Sequence, residues 1–362
     1  MSTIVDGQTR ITFNDSSNQQ TAGYTGFRNR IINGNMVIDQ RNAGASVTPT
    51  SGQYLVDRFY YQATQASKAT AQQNAGAVTP PSGFTNYQGI TSSSAYSVLS
   101  SDYFLIRQAI EGFNVADLGW GTANAATVTL SFWVRSSLTG TFGGAFTNAG
   151  GTRWYPFSYT ISVANTWEQK TITVAGDTSG TWATGNTAGI QISFNLGAGS
   201  SFSGTAGAWT GSGIIAPTGA TSVVGTSGAT FYITGVQLEK GSVATPFEFR
   251  QFGTELALCQ RYYQSLINPK LNGTAGSSTA MNRMGCNLLQ QMRTTPTAYT
   301  LTGTIPIFNG VTVGTITSIS VSYYSIGTLE FDSTAATGTF AANQPITSYV
   351  SGTYTIAINA EL

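Results

Sequence analysis

Short segments in which apolar and polar residues alternate are the feature of this sequence that most limits its fold. In the clearest of them, VTLSFWVR, the apolar residues Val128, Leu130, Phe132 and Val134 fall on one face. Alternation is typical of a half-buried β-strand, because its successive side chains point to opposite faces. Many such segments, separated by turns rich in the 42 glycines of the chain, predict an all-β sandwich or barrel over residues 31–250.

The same alternation predicts further strands. Before residue 253 they are Leu55–Tyr61, Phe104–Ile110, Tyr159–Val163, Lys170–Val174, Ile190–Leu196 and Phe231–Leu238, the last with a bulge at Gly235. A small β-rich unit follows at 269–362, where Asn309-Gly310 predicts a hairpin turn, although the polar stretch 267–294 predicts irregular structure. Residues 1–30, with a short extended piece at Arg10–Phe13, are too few and too polar to form a core of their own.

The stretch GVQLEKGSVATPFEFRQFGTELALCQRYY, from Gly235 to Tyr263, joins the end of a strand to the start of a helix. Lys240-Gly241 breaks the strand, and Pro246 keeps the residue before it extended. After Gly253 the apolar spacing becomes helical, with one face formed by Leu256, Cys259, Tyr263 and Leu266. This pattern predicts a linking helix at 251–268, regular over 254–266, that closes the sandwich and leads to the C-terminal unit.

Few residues are charged, which limits the classes of partner. Charged residues make up 9% of the chain and the formal net charge is +1, whereas a typical soluble domain is about 25% charged. We therefore expect no nucleic-acid partner, because nucleic-acid binding requires an excess of cations. No apolar run approaches the roughly 20 residues that span a bilayer, so membrane insertion is not expected either. The N-terminus MSTIVDGQTR lacks the pattern of a secretion signal.

The chain contains no histidine, which excludes the usual Ser-His-Asp and Cys-His catalytic groups and the common zinc sites. Paired carboxylates would be the remaining route to glycan hydrolysis, and the nearest candidates are Asp102, Glu111 and Asp117. Acids beside basic residues, as in Asp57-Arg58, favour a structural role instead. We expect no catalytic residue and no enzyme activity.

The sequence also offers few residues that could bind a metal ion or form a disulfide. Oxygen donors that could hold a structural calcium ion occur near the start of the predicted sandwich, at Asn33, Asn35, Asp39 and Asp57. Because no dense acidic loop accompanies them, we expect neither a metal site nor a cofactor. Two cysteines cannot form a disulfide framework. Cys259 is expected to be a buried small hydrophobic residue, with a Cys259–Cys286 bridge as the alternative.

Aromatic residues in glycine-rich turns are the best candidates for a binding site. Flat rings can cover the apolar faces of sugars while amides and hydroxyls bond their edges. Trp120, Trp154, Tyr155, Trp167, Trp182 and Trp209 lie in or beside such turns. We expect glycan-binding residues among Arg153, Trp154, Tyr155, Trp182 and Trp209, and the alternative is that each ring is packed in the core. The stretch Gly197–Ala229, inside a region without charge from Asp177 to Glu239, predicts a functional surface loop or a subunit contact.

Two blocks of this sequence resemble a known group of proteins. QLEKGSVATPFEFR followed by ELALCQRYY, from Gln237 to Tyr263, resembles a signature of bacteriophage tail-fibre and related virion proteins. NRIINGNMVIDQRNAG at Asn29–Gly44, with VDRF at Val56–Phe59, is similar to the other end of the same domain. Weaker similarity lies in ITFNDSSNQQTAG at Ile11–Gly23 and in the ending AINAEL.

The resemblance implies both a fold and a role. In that group the two blocks enclose a jelly-roll domain similar to carbohydrate-binding modules, here at 31–250. The resemblance further implies a location in the virion and assembly as a homotrimer. It implies that residues 1–30 attach to other tail or capsid proteins, that residues 269–362 form a C-terminal tip, and that the protein adheres to host cell-surface polysaccharide. A capsid decoration, head-fibre or cement protein without a ligand is the alternative, and a glycan-degrading depolymerase is a more distant one.

Overall fold

The computed structural model describes residues 27–276, 281–296, 298–333, 336–338, 340–349 and 352–362, and before residue 27 it describes three short strands. These strands pair antiparallel in the order β1-β2-β3 and are β1 Ile4–Asp6, β2 Arg10–Thr12 and β3 Asn18–Gln19. The extended piece predicted at Arg10–Phe13 is confirmed as far as Thr12. Phe13 and most of the segment 1–30 lie outside the described residues.

The next part of the chain forms a jelly-roll β-sandwich, as predicted. Its strands are β4 Tyr54–Val56, β5 Phe59–Ala63, β6 Ala69–Gln73, β7 Gln88–Ser92, β8 Tyr103–Glu111, β9 Val128–Ser136, β10 Gly140–Asn148, β11 Trp154–Ile161, β12 Glu168–Val174, β13 Ala188–Ala198, β14 Ser203–Gly204, β15 Ala216–Pro217 and β16 Thr230–Lys240. A six-stranded sheet has the order β11-β10-β13-β8-β5-β4, and a five-stranded sheet has the order β12-β9-β16-β7-β6. Both sheets are antiparallel, while β14 and β15 form a small parallel pair. Short 3-10 turns lie at Ala75–Ala77, Gly112–Asn114, Ala116–Leu118 and Ser200–Phe202.

The alternating residues of the sequence fill the space between the two sheets. The four apolar residues predicted to share a face of β9 are all buried, and they oppose the buried Ile190, Ile192, Phe194 and Leu196 of β13. The rings of Phe132 and Phe194 meet edge to face with centroids 5.1 Å apart. The predicted bulge at Gly235 is confirmed, because the pairing of β16 with β9 shifts register between Thr234 and Gln237. The strand predicted at Leu55–Tyr61 is wrong in one respect, since Arg58 has a φ of 71° and turns the chain into a β4-β5 hairpin.

A short helix and a second β-unit complete the described residues. The helix α1 is Phe252–Gln260, and the strands that follow are β17 Tyr263–Ile267, β18 Asn272–Ala275, β19 Met281–Asn287, β20 Ala298–Thr302, β21 Ile305–Phe308, β22 Val313–Ile316, β23 Ser320–Tyr324, β24 Thr328–Ser333, β25 Ala336–Thr337, β26 Pro345–Ser348 and β27 Thr355–Asn359. A three-stranded sheet β17-β27-β20 packs on an eight-stranded sheet β23-β24-β19-β18-β26-β21-β22-β25 around a second apolar core. The hairpin predicted at Asn309-Gly310 is confirmed between β21 and β22.

Two predictions at this junction are wrong. The helix ends at Gln260 rather than continuing to Leu266, because YQSLI alternates as a strand and pairs with β27. The region 267–294, predicted to be irregular, contains β18 and β19, whose backbone bonds to β26 and β24, respectively, override the weak local pattern. Cys259 is buried, as predicted, and both Cys259 and Cys286 are free thiols.

The two blocks that carry the sequence resemblance lie against each other. Backbone N–H of Arg30 donates to the carbonyl of Leu238 at 2.8 Å, and that of Val236 donates to the carbonyl of Gly34 at 2.9 Å. A Cβ on Gly34 would lie 2.1 Å from the Val236 oxygen, so this close contact requires glycine. The two blocks together therefore form a clasp that closes the sandwich where it meets α1.

Helix α1 attaches this clasp to the C-terminal unit. Cys259 and Tyr262 pack with Ile32 and Ile38 in a small buried cluster. Among the described residues, no helix has the length and apolar character needed to cross a membrane.

Candidate functional site

Three of the tryptophans predicted from glycine-rich turns pack together at one end of the sandwich. Trp120, Trp182 and Trp209 contact one another edge to face with centroids 4.7 to 5.4 Å apart, and Tyr155 lies 5.2 Å from Trp209. Their indole N–H groups donate to the carbonyls of Ala126, Ser179 and Ala175, respectively. Trp182 is 9% exposed and belongs to the core, so the expectation that it offers a ring face to a ligand is wrong. Trp209 and Tyr155 are half-buried against the same cluster.

Arg153 is committed to a buried partner. Its Nε and Nη2 donate to the two carboxylate oxygens of Asp177 at 2.6 and 2.8 Å, a bidentate geometry. These hydrogen bonds raise the pKa of Arg153 further above its ordinary value. The pair fixes the turn after β12 against the start of β11, so two of the N–H donors of Arg153 are used in holding the end of the sandwich together.

Trp154 is the predicted residue that lines an open cleft. It begins β11 and points to the face opposite Tyr155, which is the outer face of the six-stranded sheet. The cleft has a volume of about 220 Å³ and is lined by Gln62, Tyr103, Leu105, Arg107, Trp154, Phe202, Gly213 and Ile215. Tyr103 and Phe202 meet edge to face at 5.1 Å and form one aromatic wall.

The charge-free segment after β13 supplies the second wall of this cleft. Trp154 and Thr210 exchange two backbone hydrogen bonds at 2.8 Å, and Ile215 N–H donates to the Phe202 carbonyl at 2.9 Å. The segment lies directly on the sheet because residue 143 of β10 is glycine. A Cβ at Gly143 would lie 2.4 Å from Pro217 of the segment. The loop predicted at Gly197–Ala229 is thus an ordered wall of the sandwich.

Two polar groups in the cleft have no partner within the described part of the chain. Arg107 is 8% exposed, and its Nη1 donates to Gln191 at 2.9 Å, but its Nε–H is unpaired. The Oε1 of Gln62 is unpaired as well. The Arg107 guanidinium lies 5.9 Å from the centre of the Trp154 ring. Buried polar groups are normally satisfied, so the unpaired donor of Arg107 and the unpaired acceptor of Gln62 are exceptions that lie in two residues lining the same cleft.

Sequence reasoning missed Arg107, Gln62, Tyr103 and Phe202. Arg107 lies inside the apolar run FLIRQAI, which was predicted correctly as a strand. A charge in the middle of such a strand was the available signal, because a charge on a covered face requires a partner or a ligand. Gln62 and Phe202 had no comparable signal, since the sheet order brings them to the cleft.

The carboxylates considered for catalysis have structural partners. Glu111 is buried and accepts from Arg261 at 2.8 Å and from the Tyr262 hydroxyl at 2.8 Å. Asp117 is exposed and pairs with Arg30 at 3.0 Å. Hydrogen bonds, the strongest from the Tyr96 hydroxyl, lower the pKa of Asp102 to about 2. No carboxylate is among the described residues that line the cleft.

Three of the four oxygen donors considered for calcium have protein partners, whereas the Oδ1 of Asn35 is buried without a partner among the described residues. The Asn33 amide donates to the carbonyls of Ile38 and Asp57 at 2.8 and 2.9 Å, and Asp57 accepts from Arg41 at 2.9 Å. Asp39 accepts from the backbone of Asn42 and Gly44. Within the described residues, no group of three or more carboxylate or thiol side chains is arranged to hold a metal ion.

The sequence matches no known protein-family profile and no curated protein. Among solved structures, the chain is similar to the enzymatically active domain of tailspike protein 4 from bacteriophage CBA120, with 14% identity over 59% of this chain and 21% of that chain and a TM-score of 0.34. It is also similar to a CBM4 carbohydrate-binding module, with 14% identity over 58% and 98% of the two chains and a TM-score of 0.31. A family 11 carbohydrate-binding module of Clostridium thermocellum aligns with 12% identity over 55% and 100% and a TM-score of 0.27.

Proposed function

We propose that the protein binds carbohydrate without catalysis and that the cleft beside Trp154 holds part of a glycan. The observation that carries this proposal is the unpaired Nε–H of Arg107 and the unpaired Oε1 of Gln62 in one cleft with Trp154. Both atoms are buried, so the proposal includes a shift of these two side chains that lets a sugar hydroxyl accept from the first group and donate to the second. The aromatic side chains supply flat surfaces for the C–H faces of a sugar ring.

The proposed absence of catalysis rests on the carboxylates. A glycosidase needs two of them facing each other across the bound sugar. Here Glu111 is held by Arg261 and Tyr262, and Asp102 is held by several hydrogen bonds, so neither is free to act as acid or nucleophile.

The biological setting we propose is a bacteriophage virion, with the protein as a tail fibre or receptor-binding adhesin on host surface polysaccharide. This proposal is supported by the two signature-like blocks, which form the clasp between residues 29–44 and 236–263, and by the charge-poor composition. In a homotrimer, weak individual sugar contacts would add up through multivalency. A capsid decoration or cement protein is the second candidate, and it would not need the unpaired groups of the cleft.

Glycan binding by Trp154→Ala and wild-type protein tests the proposal. The wild-type protein should bind oligosaccharides on an array, and Trp154→Ala should lose the binding that this cleft contributes, since a ring contact is removed. Trp133→Ala is the matched control, because Trp133 is also half-buried but lies on the outer face of the five-stranded sheet. Binding by Trp154→Ala that equals that of the wild type for every glycan would exclude this cleft as a site. Absence of any binding by correctly assembled wild-type protein would favour the cement alternative.

A further inference from the structure

We propose that the C-terminal unit carries a second, separate binding groove, which crosses the outer face of its eight-stranded sheet and takes an extended, uncharged, hydroxyl-rich chain such as a linear oligosaccharide. The groove uses none of the residues of the sandwich cleft. It can therefore be tested independently of the function proposed above, although both sites would serve adhesion.

The groove follows one row of residues that pair directly across five strands. Gly285 of β19 pairs with Glu330 of β24 and with Asn272 of β18. Asn272 pairs in turn with Thr347 of β26, which pairs with Phe308 of β21. Directly paired residues place their side chains on the same face of a sheet. At the usual spacing of neighbouring strands, the row is about 19 Å long.

This face points away from the core of the unit. The residues next to the row in sequence are buried in the second core and include Leu271, Met284, Ile307, Leu329 and Ile346. Side chains alternate along a strand, so the row must face outward. Asn272 is exposed, and Phe308, Glu330 and Thr347 are half-exposed.

Two adjoining hollows lie along the row and share Asn272. The first has a volume of about 390 Å³ and is lined by Lys270, Gly285, Asn287, Thr328 and Glu330 among others. The second has a volume of about 420 Å³ and is lined by Phe308, Asn309 and Thr347 among others. Both volumes are in the range of sites for small ligands. Because they adjoin, they suit an extended chain better than a compact molecule.

The groups in these hollows match a sugar chain. Phe308 offers an aromatic surface at one end, where its ring lies 6.4 Å from Tyr349. The floor and walls carry amides and hydroxyls, which can bond either side of a sugar hydroxyl. At the other end, Lys270 and Glu330 supply one charge of each sign and form no ion pair with a described residue.

The charge balance argues against the other classes of ligand. One ammonium opposite one carboxylate favours neither a polyanion nor a polycation, and the sequence has no lysine or arginine after Arg293. Nucleic acid would require several cations along the groove. A protein partner would be expected to meet an apolar, aromatic centre, whereas the centre of this row is Gly285, Asn272 and Thr347.

A single substitution can block the groove without touching the core. Asn272→Tyr places a ring at the point that both hollows share, and tyrosine suits an exposed strand position. Thr300→Tyr is the matched control, since Thr300 is an exposed strand residue of the three-stranded sheet. Circular dichroism and melting curves on both variants establish that they fold alike.

The test is calorimetric titration of the full chain with a fixed panel of linear neutral oligosaccharides of glucose, galactose, mannose and N-acetylglucosamine. We expect Asn272→Tyr to lose one binding site per chain while Thr300→Tyr loses none, and Phe308→Ala to weaken that site about tenfold, as loss of an aromatic contact does. Combining Asn272→Tyr with Trp154→Ala should remove all binding.

The outcomes separate this proposal from the one for the sandwich. If Asn272→Tyr keeps every site, or if no sugar of the panel binds outside the Trp154 cleft, the groove is not a glycan site. If Trp154→Ala has no effect but Asn272→Tyr abolishes binding, the groove stands and the sandwich cleft fails. If Asn272→Tyr changes the mass of the protein in solution and leaves sugar binding intact, the face is a contact between copies, and the proposal is overturned.

Discussion

Arg41 and Glu361 form an ion pair at 3.0 Å although they are 320 positions apart in the sequence. The same guanidinium contacts Asp57 at 2.9 Å and lies 3.6 Å from the centre of the Tyr263 ring. Glu361 also pairs with Arg58, whose side chain is 1% exposed. These groups join the jelly roll, the segment after α1 and the C-terminal unit, so a buried network of charged residues lies where the two parts of the chain meet.

Replacement of Glu361 by alanine should weaken this junction strongly. It leaves Arg58 and part of Arg41 buried without a counter-charge, and breaking a buried pair in this way costs about 3–5 kcal/mol. Denaturant unfolding followed by tryptophan fluorescence measures the change. Asp117→Asn is the control, because Asp117 pairs with Arg30 at the surface and such pairs contribute about 0–1 kcal/mol. Equal effects of the two substitutions would contradict the structural role of the junction.

The tryptophan cluster and the cleft should respond differently to mutation. Trp182→Ala removes a buried ring that contacts Trp120 and Trp209, and the free energy of unfolding should fall by about 3–5 kcal/mol. Trp154→Ala should cost less stability, since Trp154 is only half-buried, but it should lose the glycan site of the cleft. Melting temperature and glycan affinity are measured on both variants. If Trp182→Ala were as stable as the wild type, Trp182 would not be part of the core that stabilises the sandwich.

Local alternation allowed several sandwich strands to be predicted, but it missed β6, β7 and β10 and did not reveal the contacts between distant segments. Val128–Ser136 and Ala188–Ala198 were found because their buried faces repeat every second residue. The end of α1 was missed because Leu266 satisfies the helical and the strand spacing equally well. Arg153 and Trp182 were predicted to bind a ligand because their actual partners, Asp177 and the neighbouring tryptophans, could not be seen in the sequence. Sheet pairing brings these partners together, and no local pattern reveals it. The partners of Arg107 were hidden for the same reason.

Acid should remove a stabilising contribution of Asp102. Its carboxylate accepts from Tyr96, Thr64 and Gln65, and its pKa is about 2 in the folded protein against an ordinary value of 3.8. Because the folded pKa is the lower one, the contribution is complete above the unfolded pKa and is lost as the pH falls from about 4 to about 2. Asp102→Asn should therefore be less stable than wild type at neutral pH, with the gap narrowing below pH 4. Chemical denaturation at several pH values measures it, and a gap that stays constant would refute the assignment.

The two cysteines should be poor nucleophiles at neutral pH. Burial raises the pKa of the Cys259 thiol well above its ordinary value and that of Cys286 to about 11, so little thiolate is present. Iodoacetamide should leave Cys259 unmodified in the folded protein and label Cys286 slowly. Denatured protein is the control and should label at both positions. Rapid labelling of Cys259 under native conditions would show that α1 opens readily from the clasp.

The oligomer we propose has a candidate contact surface near the N-terminal segment. Phe27 and Phe113 are 56% and 62% exposed, and both line a hollow of about 170 Å³ beside Arg30 and Arg250. Exposed rings grouped in this way are typical of protein contact sites. Light scattering coupled to size exclusion should give a mass three times 38.0 kDa for the wild type and a lower mass for Phe113→Ser. Leu99→Ser is the control, since Leu99 is 59% exposed but does not line this hollow. A monomeric wild type would favour a decoration protein that assembles on the particle, and a trimer unaffected by Phe113→Ser would place the contact on another face.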